Sequence, residues 1–180
     1  DLNGDGYITE KDRTIIGNTN PDFTYGFNIY LEYKNFDFTA FFQGVQGVDI
    51  ISDLKKETDI WAGLNIGFLN KGRRLLDAWS ATNPNSNIPA VSLSDNNNEK
   101  RVSSYWVENG SYLKLRTVQI GYNVPKSFAQ KLAMERLRFY LSAQNLFTVK
   151  SSSFTGVDPE NPNYGYPIPL NITFGLNVTF

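Results

Sequence analysis

Apolar and polar positions alternate with a period of two in several stretches of the chain. Ile172, Phe174, Leu176, Val178 and Phe180 alternate with Thr173, Gly175, Asn177 and Thr179. Successive strand residues point to opposite faces, so this run predicts a strand with one apolar and one polar face. Leu137–Gln144 repeats the pattern, with Leu137, Phe139, Leu141 and Ala143 against Arg138, Tyr140, Ser142 and Gln144. Tyr25–Tyr33 sets Tyr25, Phe27, Ile29, Leu31 and Tyr33 against Gly26, Asn28, Tyr30 and Glu32. Phe36, Phe38, Ala40 and Phe42 share one side of a fourth run, and Phe41 interrupts its polar side. In Tyr112–Tyr122 the phase switches. Leu113 and Leu115 fall on one parity, and Val118, Ile120 and Tyr122 on the other, which a bulge near Arg116–Thr117 explains. The expected fold is all-β, with about five antiparallel strands over 24–33, 36–44, 112–122, 137–146 and 172–180.

The connections give these strands a direction. Lys34-Asn35 is a tight hairpin turn, and Asn123–Arg136 is a short link with a helical turn expected over Ser127–Met134. Val45–Ser111 and Phe147–Asn171 are long, with helical character at Lys71–Trp79 and a loop at Asn83–Asn98. Short and long connections therefore alternate. Outer-membrane barrels have short periplasmic turns and longer extracellular loops. With the last strand ending in the periplasm, both long loops and the first 23 residues fall outside. A soluble antiparallel sandwich has the same alternation, but loops longer than about 12–15 residues are uncommon in compact domains.

Composition narrows the chemistry. The 180 residues carry 17 Lys and Arg against 18 Asp and Glu, so no basic field for nucleic acid is present. Histidine and cysteine are both absent, which removes Ser-His and Cys-His catalysis, disulfides and the usual zinc sites. Thirteen Phe and ten Tyr suit a strongly apolar sheet face or a sugar-binding surface. Trp61, Trp79 and Trp106 are candidate stacking platforms for a ligand, with packing inside the long loop as the other reading. Asp158 and Glu160 are the candidates for a glycosidase-type carboxylate pair, but their DPENP context reads first as a proline-punctuated loop. No run approaches the length of a membrane helix, and barrel strands would show none. The chain does not begin at Met, and Asp1 already belongs to a motif, so it reads as a piece of something longer.

That motif is acidic. Asp1, Asn3, Asp5, Tyr7 and Asp12 have the spacing of an EF-hand-type calcium loop. Side-chain oxygens at positions 1, 3 and 5 suit a hard cation, Gly6 permits the sharp turn, and Tyr7 offers its backbone carbonyl. Asp12 stands where sensor loops have a bidentate Glu, as in dockerin-type loops. A structural calcium clip is the expectation, with an Asx-rich turn that binds no metal as the alternative.

Several segments together resemble SusC/RagA-type TonB-linked outer-membrane proteins of Bacteroidetes. They are DLNGDGYITEKDRTIIG at Asp1–Gly17, Asn20-Pro21 with FTYGF at Phe23–Phe27, and FDFTAFFQGVQG at Phe36–Gly47. VENGSYLKLRTVQIGYNVP at Val107–Pro125 and LRFYLSAQNLF at Leu137–Phe147 follow. TGVDPE at Thr155–Glu160, Tyr166-Pro167 and the ending FGLNVTF at Phe174–Phe180 complete the series. The resemblance implies the C-terminal region of a large plugged barrel, on the order of 22 strands. It also implies TonB-powered import through a plug and TonB box upstream, a SusD-like surface lipoprotein, and glycan or peptide cargo. Phe180 resembles the terminal aromatic recognised by the outer-membrane assembly machinery. The resulting expectation is an integral outer-membrane transporter segment that is not an enzyme. Its apolar strand faces meet lipid, Tyr25, Tyr33 and Phe180 sit in aromatic girdles, and Asn28, Glu32, Arg138, Gln144 and Asn177 face the lumen. The competing expectation is a secreted, calcium-stabilised β-sandwich that binds carbohydrate.

Overall fold

The structure is a computed structural model that describes residues 1–59, 71–92, 101–162 and 165–180. In chain order it contains β1 (Phe23–Tyr33), β2 (Phe36–Gln46), β3 (Asp49–Ile51), α1 (Asp53–Asp59), β4 (Val107–Asn109) and β5 (Tyr112–Asn123). These are followed by α2 (Lys126–Ala129), β6 (Arg136–Lys150) and β7 (Asn171–Thr179). Short 3-10 turns cover Glu10–Asp12, Arg73–Asp77, Ser104–Trp106 and Gln130–Leu132. The helical character expected at Lys71–Trp79 appears as the second of these. The β5–β6 link turns one residue earlier than expected, at Lys126, and closes on Ala133 in the left-handed region.

β1, β2, β5, β6 and β7 form one sheet in that order, every neighbouring pair antiparallel. β3 and β4 pair separately, inside the first long connection. Directly opposed residues share a face, so the register can be followed across the sheet. Ile29, Ala40, Val118, Ala143 and Ile172 form one apolar rung, and Leu31, Phe38, Ile120, Leu141 and Phe174 form the next. The polar positions line up equally well, as Asp37, Gly121, Tyr140 and Gly175 show.

The register breaks where the parity of β5 switches. From the rung at Ala40 to the rung at Phe42, β2 advances two residues, β5 three (Val118 to Leu115) and β6 four (Ala143 to Phe147). Each strand carries one more residue than its neighbour, which bends the sheet and raises its local twist. Arg116 is the surplus residue of β5. Asn145, at a left-handed φ of 56°, lies in the surplus of β6.

Burial is inverted relative to a water-soluble sheet. The apolar face is largely bare: Phe174 is 70% exposed, Ile172 66%, Leu176 52%, and Leu141 and Ile120 48% each. Ala40, Leu115 and Leu137 are the buried members of that face, whereas the buried polar groups gather toward the opposite face, at the long-loop end, where residues 47–59, 104–111 and 151–162 fold over the strands. They include Ser52, Asp59, Glu108, Ser111, Lys114 and Asp158, with Trp106 among them. Among the described residues no second sheet covers the apolar face, so the expected alternative of a β-sandwich is set aside. No helix of the described residues is long and apolar enough to cross a membrane, which says nothing about strands.

Candidate functional site

The polar face carries two clusters. Near the short-turn end, the Asp37 carboxylate accepts from the Arg138 guanidinium through both oxygens and from Asn123 Nδ2 at 3.2 Å. Arg138 lies 5.5 Å from the centre of the Tyr140 ring. Tyr140 spreads over Gly175, where a Cβ would collide with its ring. The glycine makes room for a large side chain across the rung.

Near the long-loop end, the bulge of β5 brings Lys114 and Arg116 to the same polar region. Lys114 is 1% exposed, and its ammonium donates to both oxygens of Asp158 at 2.7 and 2.8 Å and to Glu160 at 2.6 Å. Arg116 donates through Nε to Gln43 at 2.8 Å and through Nη2 to Glu160. The Tyr112 hydroxyl donates to Glu160 at 2.7 Å. Burying an ammonium alone costs several kcal/mol; here two loop carboxylates compensate it and fix residues 158–160 to the sheet. Burial alone would push the Glu160 carboxyl up, but the donors from Lys114, Tyr112 and Arg116 outweigh it and hold the group at about 2.

The network continues outward through two further buried carboxylates. Glu108 on β4 accepts from the Thr155 backbone at 3.0 Å and hydroxyl at 2.7 Å, and pairs with Lys55 of α1 at 3.1 Å. Asp59, at the end of α1, accepts from Arg74 Nε at 2.7 Å and from the Tyr105 hydroxyl at 2.6 Å. Burial, and then the hydrogen bond to Asp59, push the Tyr105 phenol well above its usual range. Four carboxylates thus link the segment at Arg74, α1, β4 and the loop at 155–160, and Asp158 and Glu160 fix that loop to the sheet. Beside them, Leu54, Gly156, Val157, Pro162, Gly165, Tyr166 and Pro167 line a cavity of about 520 Å³.

The residues singled out from sequence separate in space. Asp158 and Glu160 are bound up in ion pairs and do not stand free as an acid–base pair. Trp106 is 1% exposed, with its indole N–H donating to the Arg101 carbonyl at 2.8 Å, so its ring is taken up by packing. Trp79 is 47% exposed. Trp61 lies outside the described residues. Sequence reasoning missed Lys114, Arg116 and Glu108. The available signal was a pair of cations two apart on one strand face, which burial obliges to find anions.

The acidic loop is wound around its first carboxylate. Asp1 accepts from the backbone N–H groups of Gly4, Asp5 and Gly6, with Gly4 and Gly6 at φ of 74° and 85°. Asp5 accepts from the Tyr7 N–H, and Asp12 accepts from Leu2, Asn3 and Thr9. The Thr9 N–H is the largest influence holding the Asp12 carboxyl below its ordinary range. Among the described residues no three acidic side chains converge closely enough to hold an ion.

No protein-family model matches the chain. Individual proteins do. Over its whole length the chain is 39% identical to TonB-dependent receptor P3 of Formosa agariphila, of which it covers 18%. It is 28% identical to TonB-dependent receptor SusC of Bacteroides thetaiotaomicron, covering 17% of that protein. Its fold matches the RagAB peptide importer in its open-open state, with a TM-score of 0.76 and 27% identity over 92% of this chain and 18% of that one. The chain belongs to the SusC/RagA-like TonB-dependent receptors. It is a C-terminal segment of such a receptor and spans less than a fifth of the length of these relatives. Within a SusC/RagA-like receptor, the five-stranded sheet is a part of the barrel wall, open at both edges because the remaining strands lie outside this chain. This is a family of receptors rather than of enzymes, in keeping with the expectation that the segment carries out no bond chemistry.

Proposed function

We propose that the chain forms part of the wall and mouth of an outer-membrane transporter that imports oligosaccharides or peptides. Its apolar face meets lipid, its polar face lines the lumen, the long connections lie outside the cell, and the short links and Phe180 lie in the periplasm. A SusD-like lipoprotein seats on the long connections, and TonB acts through a region outside this chain. The inverted burial carries this reading. A sheet whose apolar residues are bare while its lysine and carboxylates are enclosed suits hydrocarbon on one side and a polar interior on the other. β1 has 11 residues. At roughly 3.3 Å per residue and a tilt of about 40° they cover about 28 Å along the barrel axis, enough to cross an apolar barrel band of about 25 Å. The test is made on the full-length receptor. It should fractionate with the outer membrane and need detergent for release, and a strain lacking it should lose growth on one oligomeric nutrient. Full solubility as a monomer without detergent would overturn the reading.

The loop Asp1–Asp12 is proposed to take one calcium ion as a structural clip, with Asp1, Asn3, Asp5, the Tyr7 carbonyl and Asp12 as ligands. Donor spacing and the two positive-φ glycines support it. Calorimetric titration of the metal-stripped receptor should give one site that disappears in Asp1→Ala and Asp5→Ala. Absence of heat, together with an unchanged melting temperature, would remove it.

A further inference from the structure

The apolar face ends in an aromatic row at the short-turn side. Tyr33, Phe36, Tyr122 and Phe139 stand opposite one another across four adjacent strands. Tyr33 and Phe36 are exposed, and the Lys34 ammonium lies 5.3 Å from the centre of the Tyr33 ring, which puts a cation beside the row on the apolar side.

Just beyond the row runs the β5–β6 link. Phe128 and Leu132 are four residues apart on its helical turns and are 58% and 50% exposed. Ala129, fully buried, anchors the turn. Lys126 and Lys131 flank the two apolar side chains, both exposed and neither in an ion pair among the described residues. The nearby carboxylates are Glu32, whose Oε2 accepts from the Tyr30 hydroxyl at 3.1 Å, the exposed Glu135, and Asp37, which Arg138 already neutralises. Arg136 is also near and donates to Asn123. Cations therefore outnumber acids at this end.

Aromatic side chains settle at the headgroup level of a bilayer, and lysines bury their stems while keeping the ammonium among phosphates. We propose that the β5–β6 link is a membrane-surface clamp. Phe128 and Leu132 insert at the boundary of the adjacent leaflet, and Lys34, Lys126 and Lys131 bind the phosphates of its phospholipids. The clamp rests on the proposed lipid contact of the apolar face, with which the aromatic row is continuous.

The test uses the full-length receptor, with any native cysteines replaced by serine, in vesicles containing phosphatidylglycerol. Spin labels are placed singly at Phe128→Cys, Leu132→Cys, Phe174→Cys on the apolar face and Thr173→Cys on the polar face. Collision with oxygen reports lipid, and collision with a nickel chelate reports water. Labels at 128 and 132 should favour oxygen, at a shallower depth than the label at 174. They should move toward water when Lys126→Glu and Lys131→Glu are added or the anionic lipid is withdrawn. Water-like exposure at 128 and 132, or shielding from both reagents by other protein, overturns the clamp while the label at 174 still reports lipid. A water-exposed label at 174 overturns the clamp and the membrane reading together.

Discussion

Lys114 holds its ammonium within 2.8 Å of two loop carboxylates while almost closed to water, so its removal leaves Asp158 buried without its cation. Breaking a buried pair from one side costs roughly 3–5 kcal/mol. Lys114→Met in the full-length receptor should therefore loosen residues 151–162, seen as faster backbone hydrogen exchange there with β6 and β7 unchanged. Glu160 adds a pH dependence. Its carboxyl sits at about 2 against an ordinary 4.5, so a depressed folded value makes its contribution complete above about 4.5 and lost as pH falls toward 2. A fluorescent label on Val157→Cys should report a steady loop from neutral pH to about 5, and progressive release as pH falls from about 4 toward 2. Glu160→Gln should remove that transition and leave the loop loose at neutral pH. The sequence offered only the two cations two apart on β5, without their partners. Asp158 and Glu160 read first as residues of a proline-punctuated loop and Lys114 carried no reading at all, because the pairing spans more than forty positions and only folding brings the groups together.

Strands are a local property, which is why they could be read directly. Alternation located all five, the phase switch in β5 located its bulge, and the structure sets the register break at Leu115–Thr117. The surplus in β6 was hidden because four residues preserve parity. β3 and β4 were hidden too: three residues each is too short for a period to show, and their partners are far apart in the chain. Register converts the two faces into a test. Phe174 and Thr173 are neighbours on β7 pointing to opposite faces. A cationic side chain on the lipid side of a barrel costs roughly 2–4 kcal/mol at the bilayer midplane, whereas lumenal positions tolerate charge. Phe174→Arg should reduce the folded fraction of the full-length receptor, read as loss of the heat-sensitive mobility shift on a gel. Thr173→Arg should leave it close to normal. Equal effects would mean that the two faces do not meet different solvents.

At the scale of the whole segment, the described residues leave two sheet edges unpaired, at β1 and β7, and no second sheet over the apolar face. A soluble domain hides both, since an open edge presents unpaired backbone groups and a bare apolar face drives association. In the proposed barrel wall both liabilities would be removed, since further strands would cover the edges and lipid the face. The charged network does not substitute for a core here, because it fixes the loops to the polar side and leaves the apolar side as bare as before. Residues 1–180 expressed alone should therefore fail to give a monodisperse species in water. Sedimentation should show large, heterogeneous assemblies, and detergent should shrink them without producing the heat-sensitive mobility of a closed barrel. A monomer in plain buffer with cooperative thermal unfolding would show that the segment folds as an independent soluble unit. That result would count against the barrel wall more directly than any single substitution, because it would require the apolar face to be stable in contact with water.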